Sequence, residues 1–247
     1  MLGRLQQSVP VWNLRGAPRP VVAGVCLLVS ALAAGCGDGD SSAAPRVVVP
    51  NEVLADVVQR VSCVEDVDLV IGDVIGDVIG DDDTTSAPVL VLTLDAPPNA
   101  VEGDVVLSVP AVTTTIDSAG GPDPWVWLDP IRVAELAQAV AGALASSGRF
   151  DPALLDRCIA RMDAQMEQLD GELFAATQAI PDAERIMDVS LPGTLYFASR
   201  YGFVAGDTDA AVEAGRIISA DSLDGAASYD DMMRLNTERL LEVLRSR

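Results

Sequence analysis

DPWVWLDPIRVAELAQAVAGALASSGRFDPALLD, residues 123–156, decides how the chain is organised. Asp-Pro occurs in it at 123–124, 129–130 and 151–152. An aspartate accepts hydrogen bonds from the first amides of a helix, and a proline directly after it has no N–H to leave unpaired. From Pro130 to Leu144 the sequence is alanine-rich and periodic, which predicts a helix ending near Gly148. Asp151-Pro152 predicts the start of a second. Its apolar positions Leu155, Ile159, Met162, Met166, Leu169 and Leu173 fall three or four apart, a spacing sustained to about Ala179. Asp123 and Asp129, six apart around two prolines, are turn and N-cap residues rather than an acid–base pair.

Working outward, RVVV (46–49) is a short β-rich run. Asn51 then caps a helix-like pattern with Leu54, Val57, Val58 and Val61 on one face. Apolar runs at 67–71, 89–94 and 105–109, separated by Pro, Gly and Asp, predict buried strands. Further along, 185–190 and 216–219 are strand candidates, 195–202 is a short helix and 229–245 an amphipathic one. Strands alternating with helices predict an α/β layered fold with parallel strands. The repeat IGDVIGDVIGDDD (71–83) is a solvated low-complexity loop: a glycine in every unit opposes a helix, and the acid spacing is not that of an EF-hand.

The 247 residues, 49% hydrophobic, suffice for one large α/β domain or two small lobes. The chain has no histidine and no lysine, and its 16 arginines face 37 acids for a charge of −21. That excludes Ser-His and Cys-His nucleophiles, lysine Schiff bases, P-loop lysines and imidazole-ligated metals. It also argues against nucleic acid, which needs a clustered basic face. Cations, apolar ligands and other proteins remain as partners, and an enzyme is the poorest reading.

Arg4, Arg15 and Arg19 precede an apolar run from Val21 to Ala34, the order of a secretory signal. LAAGC (32–36) resembles the bacterial lipobox, which implies cleavage at 35, acylation of Cys36 and a membrane lipid anchor. The alternative is an ordinary signal with a chance cysteine. Residues 36–45 then form a tether, and the mature chain keeps 13 arginines against 37 acids, a charge of −24. Cys63 and Cys158 remain as a pair outside the cytoplasm, where a disulfide is the default and two buried free thiols the competing reading.

Four segments in order are similar to the solute-binding lipoproteins of zinc and manganese ABC transporters. DPWVWLDP followed by a helix and DPALLD resembles that family's DPHxWLDP-helix-DP arrangement. SLPGTLYFASRYGF (190–203) is similar to its segment in which a histidine precedes YFA-x-RYG. ADSLDGAASYDDMMRLN (220–236) resembles DSLG…YLDMMRxN, and VVVPNEVLADVVQRV (47–61) its first strand and helix. The resemblance implies a Rossmann-like parallel-sheet lobe (46–150), a long spine helix (151–180) and a second α/β lobe (181–247). That lobe is reduced, because only 18 residues separate Gly202 from Asp221.

The resemblance also implies zinc or manganese held between the lobes by three histidines and a carboxylate. Position by position, the ligands are missing. Trp125 and Leu191 stand where two of the histidines belong, and nothing between Val61 and Val67 supplies the third. Only the carboxylate is kept, as Asp221, and one aspartate cannot hold zinc selectively. Trp125 and Leu191 are either core packing or an adapted pocket. No cofactor is expected. The leading expectation is an anchored extracytoplasmic binding protein that lost or replaced metal capture, with an ABC permease as partner and an unidentified ligand. The alternative is a structural or partner-binding lipoprotein without a solute.

Overall fold

Three consecutive valines make β1 (Arg46–Val49) the centre of a sheet, and Val47, Val48 and Val49 are fully buried. The computed structural model describes residues 44–63, 67–72, 90–95, 105–118, 121–218, 222–223 and 225–246. After β1, α1 (Glu52–Ser62) begins with Asn51 accepting from the Leu54 amide at 2.9 Å and lays Leu54, Val57, Val58 and Val61 against the sheet core. β2 (Asp68–Ile71), β3 (Leu90–Thr93) and β4 (Val105–Ser108) complete a parallel sheet of order β2-β1-β3-β4. Val47, Val49, Leu90 and Leu92 share the main core, while Val48 and Val91 pack together on the opposite face, as strand alternation requires.

Only the central strands are buried as the apolar runs predict. β2 and β4 are the sheet edges and are half-covered, with Ile71 49% exposed. The run at 105–109 also ends early, because Val109 opens α2 (Val109–Val112), with Pro110 in its first turn. A small antiparallel pair, β5 (Asp117–Ser118) and β6 (Gly121–Pro122), leads into a 3₁₀ turn over Val126–Leu128.

Both Asp-Pro caps are in place. Asp129 accepts from the Ile131 amide at 3.0 Å to start α3 (Pro130–Ser146), and Asp151 accepts from the Ala153 amide at 3.0 Å to start α4 (Pro152–Gln178). With 27 residues, α4 is about 40 Å long. Leu155, Met162, Met166, Leu169 and Leu173 form its buried stripe, flanked by half-buried Ile159. Its first half is tied to the sheet side: Cys158 is joined to Cys63, just past α1, with Cα atoms 6.1 Å apart, and Gln138 of α3 reaches Asp163. Cys63 has a φ of 49°, which closes α1 in a left-handed turn.

The second half of α4 is tied to the C-terminal elements. β7 (Ile186–Met187) and β8 (Val204–Ala205) form a parallel pair joined through α5 (Thr194–Tyr201), followed by α6 (Asp209–Ile218) and α7 (Tyr229–Arg245). Arg200 of α5 holds Asp170 with two bonds of 2.7 and 2.5 Å, and Arg234 of α7 holds Glu172 at 2.9 Å. Residues 216–218 of the strand expected at 216–219 are instead the last turn of α6, and 219 lies outside the described residues. Ala211, Ala214 and Ile218 recur at helical spacing and are buried, so the helical face outweighs the β preference of the Ile217-Ile218 pair. The strand candidate at 185–190 shortens to the two residues of β7.

Several sequence assignments lie wholly or partly outside the described residues: Cys36 with the signal and most of the tether, most of the 71–83 repeat, residues 64–66, the ends of the 89–94 and 216–219 runs at 89 and 219, and the start of the 220–236 segment with Asp221. Among the described residues, no helix is long and apolar enough to cross a membrane.

Candidate functional site

Asp123 is the residue around which the site is built. It is 7% exposed, and both carboxylate oxygens are used: one accepts from the Trp125 amide at 2.9 Å, the other from the Gly193 amide at 3.0 Å. The first bond is the local turn expected of an Asp-Pro segment. The second reaches 70 residues along the chain to the start of α5. Tyr196, one turn into α5, ties the same two segments again. Its hydroxyl donates to the Asp123 carbonyl at 2.5 Å and accepts from the Ile116 amide at 2.9 Å. Burial, chiefly, raises the Tyr196 phenol above its ordinary value, so it stays a donor at any physiological pH.

Gly193 makes this meeting of segments sterically feasible. Its φ is +75°, and a Cβ there would lie 2.8 Å from Leu128 Cδ1 and 3.0 Å from both Cβ and the carbonyl oxygen of Trp125. Only a glycine admits both the backbone conformation and the contact. With Gly193 against it, Trp125 is half-buried, its ring centroid 4.8 Å from that of fully buried Trp127. Trp127 is held in turn through its carbonyl, which accepts from the Tyr229 hydroxyl of α7 at 2.8 Å.

Trp125 and Leu191, the two positions singled out from the sequence, open onto one cleft of about 520 Å³. Pro124, Val189 and Leu195 add apolar wall, and Asp117 and Asp123 contribute its carboxylates. Among the described residues no arginine lines it. As a cage for a transition metal the donor set fits poorly. Asp123 already accepts two amides, and Cys63 and Cys158 are bonded to each other. Among the described residues no three Cys, Asp or Glu side chains gather as metal ligands.

Beneath the cleft lies a polar hub with no counterpart in the sequence reading beyond the cap at Asp129. Asp129 lies 3.4 Å from Arg132 and 4.0 Å from Arg200, whose main partner is Asp170; the Tyr201 hydroxyl donates to Asp170 at 3.3 Å. Burial pushes the Asp129 carboxyl up, against the lowering pull of the Ile131 amide, Arg200 and Arg132. Desolvation also raises the phenols of Tyr201 and Tyr229. This hub joins α3, α4 and α5 and positions the cleft without facing it. Sequence reasoning missed Tyr196 and Gly193 as well. The Pro192-Gly193 pair was the available signal, since it marks a turn needing positive φ.

Comparison with known proteins agrees with this architecture. Residues 48–223 match the family described as ZnuA, zinc-uptake complex component A periplasmic. Among solved structures, the chain is similar to the periplasmic zinc binding protein TroA from Treponema pallidum. The two are 17% identical with a TM-score of 0.61, over 81% of this chain and 99% of that one. It is also similar to a periplasmic metal binding protein from Candidatus Liberibacter asiaticus, at 14% identity and a TM-score of 0.60 over the same shares, and to its Mn-bound form at 0.59. No curated protein sequence matches it.

Proposed function

Because the chain belongs to the zinc-uptake complex component A family, we propose that it is an extracytoplasmic solute-binding component of the metal-transporter type in which the histidine cation site is lost. The observation that carries this reading is the cleft itself. Where the family resemblance puts imidazole ligands, an indole (Trp125) and an isobutyl group (Leu191) line a common wall. Neither offers a lone pair to a cation, and the chain has no histidine to supply one from elsewhere. The family frame is otherwise kept, including the long helix and both Asp-Pro caps.

In this proposal the protein is lipid-anchored at Cys36 and faces an ABC permease, with Asp221 as the single retained ligand position. Isothermal titration of the purified protein with zinc and with manganese tests the loss. Heats no larger than those of buffer controls are expected, whereas stoichiometric sub-micromolar binding overturns the reading. Anchoring is checked separately by mass spectrometry of the mature N-terminus, where an unmodified Cys36 would dismiss the lipid.

A further inference from the structure

Resting on the reading that the imidazole site is gone, we propose that the Trp125–Leu191 cleft takes a small organic cation, an amine or quaternary ammonium carrying an apolar body. Three features of the wall define this chemistry. Its volume of about 520 Å³ is that of a small-molecule site rather than an ion cage. Its surface is mainly apolar, with the Trp125 indole among aliphatic side chains. The charged side chains among its described lining residues are both negative, Asp117 at the exposed rim and Asp123 within.

Each other class of solute meets a specific obstacle. An anion would need donors, but the amides of Trp125 and Gly193 at this end of α5 already serve the Asp123 carboxylate. Among the described residues no arginine lines the wall to replace them. A divalent metal ion is strongly hydrated and would exchange water for an indole and isobutyl groups, neither of which is a ligand. A neutral apolar molecule would use the wall but gain nothing from the carboxylates. An alkylammonium uses both, because its charge is spread and weakly hydrated, and tryptophan is the best aromatic partner for such a cation. Asp123 keeps both oxygens on amides, so the carboxylate open to a solute is the exposed Asp117, with Asp123 adding only its field from behind the wall.

The test compares choline with 3,3-dimethyl-1-butanol, which has the same shape without the charge, by calorimetric titration of the purified full chain. Choline is expected to bind at least about tenfold tighter than the alcohol. Trp125→Ala should weaken choline about tenfold or more. Asp117→Asn, at an exposed position, should weaken it several-fold and flatten its dependence on ionic strength. Equal affinity for the two probes, or no binding of choline at millimolar concentration, overturns the proposal. An unchanged choline affinity in Asp117→Asn together with Trp125→Phe also overturns it, and does so without relying on a truncated core residue. Zinc titration of the same sample separates the two levels. Tight zinc binding sinks the reading beneath, whereas silence toward both zinc and choline sinks this inference alone.

Discussion

Replacing Gly193 by alanine asks whether the two walls of the cleft meet as closely as described. Two costs arise from one methyl group. An L-residue at a φ of +75° is disfavoured by about 1–2 kcal/mol. The new Cβ also falls 2.8 Å from Leu128 Cδ1 and 3.0 Å from the Trp125 backbone oxygen and Cβ. Leu128 is fully buried and the Trp125 carbonyl is main chain, so neither yields easily. Overpacking of this kind costs about 1–3 kcal/mol. Gly193→Ala should therefore destabilise the protein by about 3 kcal/mol. At an m-value of about 2 kcal/mol/M, the urea midpoint would fall by about 1.5 M with the slope unchanged. Gly142→Ala is the matched control. It lies inside α3 with nothing within 4 Å of a built Cβ, and should gain about 0.5–1 kcal/mol. A Gly193→Ala midpoint within about 0.25 M of wild type would refute the close approach, and with it the argument that Trp125 is held in the wall.

Asp129→Asn should show a stability difference that depends on pH. The fold holds the Asp129 proton more tightly than the unfolded chain does. The stability this gives is complete below the ordinary carboxylate value and is lost as pH rises through the raised one. Asparagine keeps the cap without the charge, so the variant should improve relative to wild type as pH rises from below the ordinary carboxylate value toward neutrality. Urea midpoints that move in parallel would dispose of this account. Removing the bridge with Cys63→Ala/Cys158→Ala frees a separation of 95 residues and should cost about 4.7 kcal/mol by chain entropy. Alkylation of Cys63 and Cys158 in the denatured, unreduced wild-type protein, read by peptide mapping, would remove its basis.

Features that depend on a few neighbouring residues were legible in the sequence. Asn51, Asp129 and Asp151 cap the helices their spacing predicts, and the parallel sheet follows from valine-rich runs alternating with helical ones. Where tertiary packing decides, the sequence misleads. Residues 216–218 carry two isoleucines, yet they end α6 because Ala211, Ala214 and Ile218 need one buried helical face. β2 carries an apolar run but sits at a sheet edge, a position no local pattern encodes. At the site, Trp125 and Leu191 were identified by position, and the structure puts both in one cleft. The Asp123–Gly193 bond was hidden because its partners lie 70 residues apart.

That bond has a mechanical consequence. Asp123 belongs to one wall through its backbone and to the other through its carboxylate, and Tyr196 returns the tie from α5. Tied twice, the two segments could open away from each other only by breaking both bonds. If the proposed solute binds there, its selection would rest on fit to this opening more than on closure of the walls. In the proposed transport role, a membrane partner would then sense the occupant at the mouth of the cleft.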